Sequence, residues 1–122
     1  MPITETLQKA WDAADESMKS GEPDKALQIL RSEAWDACDN NMQKARTLRY
    51  AGDAGTMIGE MNTAGQKRHW QKAHKSYRNA LSFDPKDKET RRNMNKLASM
   101  MDEQAISPVS YTHLTLPTIY SV

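Results

Sequence analysis

The sequence predicts an all-α protein of five helices paired as antiparallel hairpins, and three observations carry that expectation. Ala, Lys, Met, Gln, Glu and Leu dominate the composition, and β-branched residues are scarce before residue 106. Apolar residues recur at three- and four-residue intervals through successive stretches of chain. Between these stretches stand short breakers around Gly21-Glu22-Pro23, Asp39-Asn40-Asn41, Asn62 to Gly65 and Asp84-Pro85. Connections that short force neighbouring helices to lie antiparallel. With 122 residues the chain holds one domain at most.

The first helix runs from an N-cap at Thr4 to about Ser20, with Leu7, Ala10, Trp11, Ala14 and Met18 at helical spacing. Gly21 ends it, and Pro23 opens the second helix at its first position, with Asp24 in the first turn. That helix carries Ala26, Leu27, Leu30, Ala34, Trp35 and Cys38 to its end near Asp39-Asn40-Asn41. The third spans about 41–61 and holds Gly52, Gly55 and Gly59. Glycine weakens a helix by about 1 kcal/mol against alanine. The row therefore marks either a face where another helix packs close or a break near Gly59.

The fourth helix is expected from about Thr63 to Phe83, with Trp70, Ala73, Tyr77, Ala80 and Leu81 on one stripe. Asp84 is then placed as the N-cap of the fifth helix and Pro85 at its first position. The fifth helix runs to about Ala105 with Met94, Leu97, Ala98 and Met101 as its apolar stripe; Lys88, Arg91, Arg92 and Lys96 crowd another face.

After Ser107 the character changes. PVSYTHLTLPTIYSV has no Asp, Glu, Lys or Arg and two prolines. Its segment VSYTHLTLPT resembles the in-frame translation of a sequencing-library adapter, with a stop placed after Val122. Residues 108–122 are therefore expected to be a non-native tail, and 1–107 a domain truncated at its C-terminus.

Ala73, Tyr77, Ala80 and Pro85 are spaced as in a tetratricopeptide repeat (TPR), and the stretch resembles the second half of such a unit. In the first hairpin Gly21 and Ala26 fit the pattern, while Leu30, Glu33 and Cys38 stand where an aromatic, an Ala and a Pro occur in the family. Arg68 occupies the Gly position of the second unit, and the offset from Ala26 to Ala73 exceeds the family period of about 34 residues. Third and fourth helices lengthened by nearly two turns each accommodate the excess. The resemblance covers residues 4–106 and implies TPR-like stacked hairpins. The fifth helix is then either a closing helix or the first half of a further hairpin.

Charge is uneven. Residues 1–40 carry nine acids and four bases, 41–83 eight bases and two acids, and 84–107 five of each. Such asymmetry steers a partner or draws adjacent units together. The single Cys38 forms no internal disulfide, and no apolar run approaches the length of a membrane span; a cytoplasmic protein with no membrane contact is expected.

No phosphate loop, paired cysteine, HExxH or nucleophile elbow is present, so no catalytic residue and no cofactor is expected. His69 and His74 are five apart and diverge by about 140° around a helix, so no metal site is expected either. Asp12, Asp15 and Glu16 read as a solvated face, and Cys38 as a structural thiol.

Lys67, Arg68, Lys72, Lys75 and Arg78 form a basic set on the fourth helix, which a solvated outer face explains without nucleic acid. The TPR resemblance implies a groove lined by the first helix of each hairpin. Trp11, Asp15, Arg46, Arg49, Asp53, Arg92 and Lys96 would face it, the four bases suiting an acidic peptide or a C-terminal carboxylate. The family's carboxylate-clamp pattern is not reproduced, since Trp11 and Asp15 stand where its first Lys and Asn would be. The function expected is a non-catalytic protein-interaction adaptor. A nucleic-acid-associated helical protein and the N-terminal domain of a larger enzyme are the alternatives.

Overall fold

A computed structural model describes residues 3–108, and the adapter-like stretch 109–122 lies outside them. Among the described residues the chain is all-helical, with five helices: α1 Glu5–Lys19, α2 over residues 23–37, α3 Asn41–Met61, α4 Gln66–Phe83 and α5 Lys88–Glu103.

Thr4 caps α1 as expected, its Oγ1 accepting the Leu7 N–H at 3.2 Å. At the other end Gly21 stands at φ +78°, Glu22 N–H donates to Ser17 O, and Gly21 N–H donates to Met18 O. This is a Schellman stop, with glycine in the left-handed position that side chains resist.

Pro23 opens α2, as the spacing predicts. The helix is not regular: Pro23–Ile29 gives way to a π turn, Leu30–Ala34, before a last turn Trp35–Ala37. Ala26, Leu30 and Ala34 recur at strict four-residue steps and are all buried. On an ideal α-helix such a row drifts about 40° per step. The wider π turn reverses the drift and keeps the row on the core.

Asn40 caps α3 by accepting the Gln43 N–H at 2.9 Å, and Gln43 Oε1 accepts the Asp39 N–H at 2.7 Å. The helix does not break at Gly59. Its glycines face α4 in antiparallel order, Gly52 on Tyr77, Gly55 on Ala73 and Gly59 on Trp70. A methyl group at Gly52 or Gly59 would stand 2.4 or 2.3 Å from the opposing ring, and one at Gly55 would be 3.0 Å from Ala73 Cβ. The row is the contact face that lets the two helices approach.

Two boundaries differ from expectation. α4 begins at Gln66, because Asn62 Oδ1 accepts the Gly65 N–H and holds 62–65 as a turn. The fifth helix is capped by Asp87, not Asp84, and starts at Lys88, not Pro85. Asp84 and Pro85 are used in a turn closed by Asp87 N–H on Asp84 O. Asp87 is the better cap: its carboxylate accepts the Glu89 and Thr90 N–H groups and the Thr90 hydroxyl.

The core has two parts. Leu7, Trp11, Leu30 and a set of alanines from α1, α2 and α3 form one; Trp70, Ala73, Tyr77, Leu97 and Met101 from α4 and α5 form the other. α3 is the wall between them, giving Ala51 and Ala54 to the first and its glycines to the second. Of the expected stripes, Met18, Leu81 and Met94 are half-buried. Trp35 is also half-buried and packs edge-on against Phe83 at 5.9 Å. No helix among the described residues is long and apolar enough to cross a membrane.

Candidate functional site

The alternation of helices brings α1, α3 and α5 to three neighbouring clefts that share lining residues. A cleft of about 370 Å³ between α1 and α3 is walled by Trp11, Asp12, Asp15, Arg46, Tyr50 and Asp53. A second of about 190 Å³, between α3, α4 and α5, shares Asp53 and adds Glu60, Tyr77, Asn93 and Lys96. A third of about 240 Å³, at the N-terminal ends of α1 and α3, shares Trp11 and Arg46 and adds Ile3, Met42 and Gln43.

The walls are held by polar contacts that span the helices. Trp11 is almost wholly buried and donates its indole N–H to the buried Thr47 hydroxyl at 3.0 Å. Thr47 in turn lies 3.3 Å from Cys38 Sγ, whose thiol reaches Ala34 O. Partial burial pushes that thiol's pKa upward, away from thiolate chemistry. Arg46 lies over the Trp11 ring at 4.2 Å and donates from Nε to the Tyr50 hydroxyl at 2.6 Å. Arg49 pairs with Asp87 at 3.1 Å, both side chains largely buried.

Asp53 stands where the first two clefts meet. Its Oδ1 accepts the Tyr77 hydroxyl at 2.5 Å and the Asn93 amide at 3.0 Å. Burial raises its pKa above the ordinary carboxylate value despite those two bonds and the positive field of Arg49. Burial and the neighbouring Asp53 push the Tyr77 hydroxyl upward, so it stays a donor.

Of the seven residues singled out from the sequence, Trp11, Asp15, Arg46 and Asp53 wall the first cleft and Lys96 the second. Arg49 and Arg92 wall neither. Arg49 is committed to Asp87, and the exposed Arg92 pairs with Glu89 one turn away. The four bases therefore do not converge. Asp12, Tyr50, Gln43 and Asn93 belong to the groove and were not singled out for it. Tyr50 had a local signal, standing four residues after Arg46, whereas Asn93 meets Asp53 across 40 residues.

The basic set on α4, Lys67, Arg68, Lys72, Lys75 and Arg78, is exposed and makes no ion pair among the described residues. Among the described residues no group of three or more His, Cys, Asp or Glu side chains gathers to hold a metal ion. No protein-family model, no curated protein and no solved structure matches this chain.

Proposed function

We propose that this chain is a TPR-like, non-catalytic interaction module that holds an extended or helical segment of a partner protein in the α1–α3–α5 groove. The observation that carries this reading is the sharing of walls: neighbouring clefts have Trp11, Arg46 and Asp53 in common, and each of these is fixed by a contact to another helix or ring. A wall ordered before binding lowers the entropy lost on capture. A cytoplasmic setting fits the lone half-buried cysteine.

Panning a displayed library of random nonapeptides against the immobilised chain tests the reading. Enriched peptides should be lost with Gln8→Trp, which fills the first cleft from an exposed position and leaves circular dichroism unchanged. A library that yields no enriched peptide refutes the module.

A second reading has one observation in its favour. α4 carries five bases and no acid, and its bases are exposed and make no ion pair among the described residues, a form suited to a nucleic-acid backbone. Salt-sensitive retention on RNA that is abolished by changing Lys72, Lys75 and Arg78 to Glu would select it over the peptide module.

A further inference from the structure

A further cleft opens where α2 meets α3 and α4. Its volume of about 550 Å³ exceeds that of each of the three described above, and it shares only Leu30 with the first of them. Leu30 and Trp35 of α2, Leu48 of α3 and Phe83 of α4 give it an apolar and aromatic lining. Trp35, Leu48 and Phe83 are each only half-buried, so these large side chains keep apolar surface uncovered where the three helices meet.

The π turn of α2 builds this lining. A step of five residues turns a side chain by about 140° on an α-helix, which would carry Leu30 and Trp35 to different sides. Here Trp35 N–H donates to Leu30 O across five residues, and the wider turn lets both side chains line one cleft. Such turns occur frequently at functional sites.

The charges beside the cleft are of one sign. Arg31 lines it, and Lys44 lies over the Trp35 and Phe83 rings, 5.6 and 5.7 Å from their centroids. No carboxylate lines the cleft, and neither base makes an ion pair among the described residues. The rings position the ammonium without neutralising it.

We propose that this cleft binds a small apolar carboxylate, with its hydrocarbon body against Leu30, Trp35, Leu48 and Phe83 and its carboxylate on Lys44 and Arg31. Charge complementarity selects that occupant. Hydrocarbon burial uses the walls, and charge-assisted hydrogen bonds use the two bases. An uncharged ligand would leave the bases without a role, and a cationic one would be repelled. The volume lies in the range of small-molecule sites, about 300–1,000 Å³. No residue of α1 or α5 lines the cleft, so the proposal stands apart from the peptide-module reading.

The test titrates octanoate into the isotope-labelled chain and follows the Trp35 indole N–H by nuclear magnetic resonance, with octanol as the uncharged counterpart. The signal should move saturably, with a dissociation constant of about 1 mM or tighter. Octanol should bind about tenfold more weakly. Lys44→Gln and Arg31→Gln should each weaken octanoate by about three- to tenfold and leave octanol unchanged. Ser82→Phe, which fills the cleft from an exposed position, should abolish binding of both. Asn79→Phe, also exposed and in the lining, replaces it if that variant loses its helical circular dichroism. No saturable movement, or octanol bound as tightly as octanoate, overturns the proposal, as does octanoate binding that survives the filled cleft. A Trp35 signal that moves with protein concentration alone gives the cleft to a second copy of the chain and overturns it too.

Discussion

The α1–α2 and α3–α4 hairpins solve one packing problem by opposite means. In the first, Leu7, Trp11 and Leu30 fill the space between helices, and a π turn adjusts α2 until a four-residue row of apolar positions faces inward. In the second the bulk stands on α4 alone, in Trp70 and Tyr77, and α3 answers with glycine. The first contact can therefore be retuned by small rotations of a helix, whereas the second is fixed by steric exclusion. Asp53 follows one turn of reasoning from this. Because Gly52 admits the Tyr77 ring, the Tyr77 hydroxyl reaches the next residue on α3, and the tight interface delivers an acid held in place in the shared wall of two clefts.

Alanine in place of glycine breaks that contrast most directly. In an ordinary helix the change is favourable by about 1 kcal/mol. Gly52→Ala and Gly59→Ala are expected to lose about 2–3 kcal/mol instead, because the new methyl meets a buried ring that other contacts hold. Gly55→Ala, where the neighbour must yield only a few tenths of an ångström, should fall within about 1 kcal/mol of the parent. Urea unfolding of the three variants measures the ranking, and equal losses would remove the ring-on-glycine account.

Where the first hairpin meets α3 the comparable weak point is polar. Thr47→Val leaves the Trp11 indole N–H buried without an acceptor and should cost about 1–2 kcal/mol. Thr47→Ser keeps the hydroxyl and should recover most of it. Failure of Ser to recover stability would assign the effect to the methyl group.

Asp53 and Asp87 give the contrast a pH dependence. Asp87 is partly buried, which works against its charge, yet the Thr90 hydroxyl and N–H, Arg49 and the Glu89 N–H hold its pKa below the ordinary value. Its stabilisation is present above about pH 4, the unfolded value, and is lost as pH falls through the lower folded value. Asp53 is the reverse: burial raises its pKa, so its contribution is full below about pH 4 and is lost as pH rises through the folded value. Asp87→Asn should therefore lose about 1–2 kcal/mol at neutral pH and progressively less in acid. Asp53→Asn should gain on the parent as pH rises from about 4 toward neutrality. Unfolding curves taken from well below about pH 4 up to neutrality decide both signs.

How much of this was legible in the sequence depends on the range of the interaction. Thr4, Gly21, Pro23 and the α3 glycine row speak through local backbone geometry and apolar spacing, and the structure bears each out. The cap of α5 was misplaced because Asp84-Pro85 and Asp87-Lys88 both offer a local start signal. Asp87 holds the cap through the Glu89 and Thr90 N–H groups and the Thr90 hydroxyl, and it also gains a charge partner in Arg49, 38 residues away, that local reading cannot see. The same blindness affected the groove. Arg46 and Arg49 read as free bases in one dimension, and only the fold shows their partners, Trp11, Tyr50 and Asp87.

The smallest effects come from two helix ends with the same geometry and different residues. α1 stops at Gly21 with φ +78°, and α5 stops at Ala105 with φ 55°, each followed by the bond pattern of a Schellman stop. At α5 Ile106 N–H donates to Met101 O at 2.8 Å, and Ile106 packs on the second core. Ala105 is exposed, and a methyl group at Gly21 would touch nothing within 4 Å, so neither site has packing to confuse the reading. Only the backbone differs, and the left-handed conformation costs a residue with a Cβ about 1–2 kcal/mol. Gly21→Ala should destabilise by about 1 kcal/mol and Ala105→Gly should stabilise by a similar amount, less the extra unfolded-state entropy of glycine. Thermal melts of the two single variants and the pair test this. The sites are separate enough to add, so the pair should return close to the parent. A double variant that stays far from it would mean that one of the two helix ends does more than stop its helix.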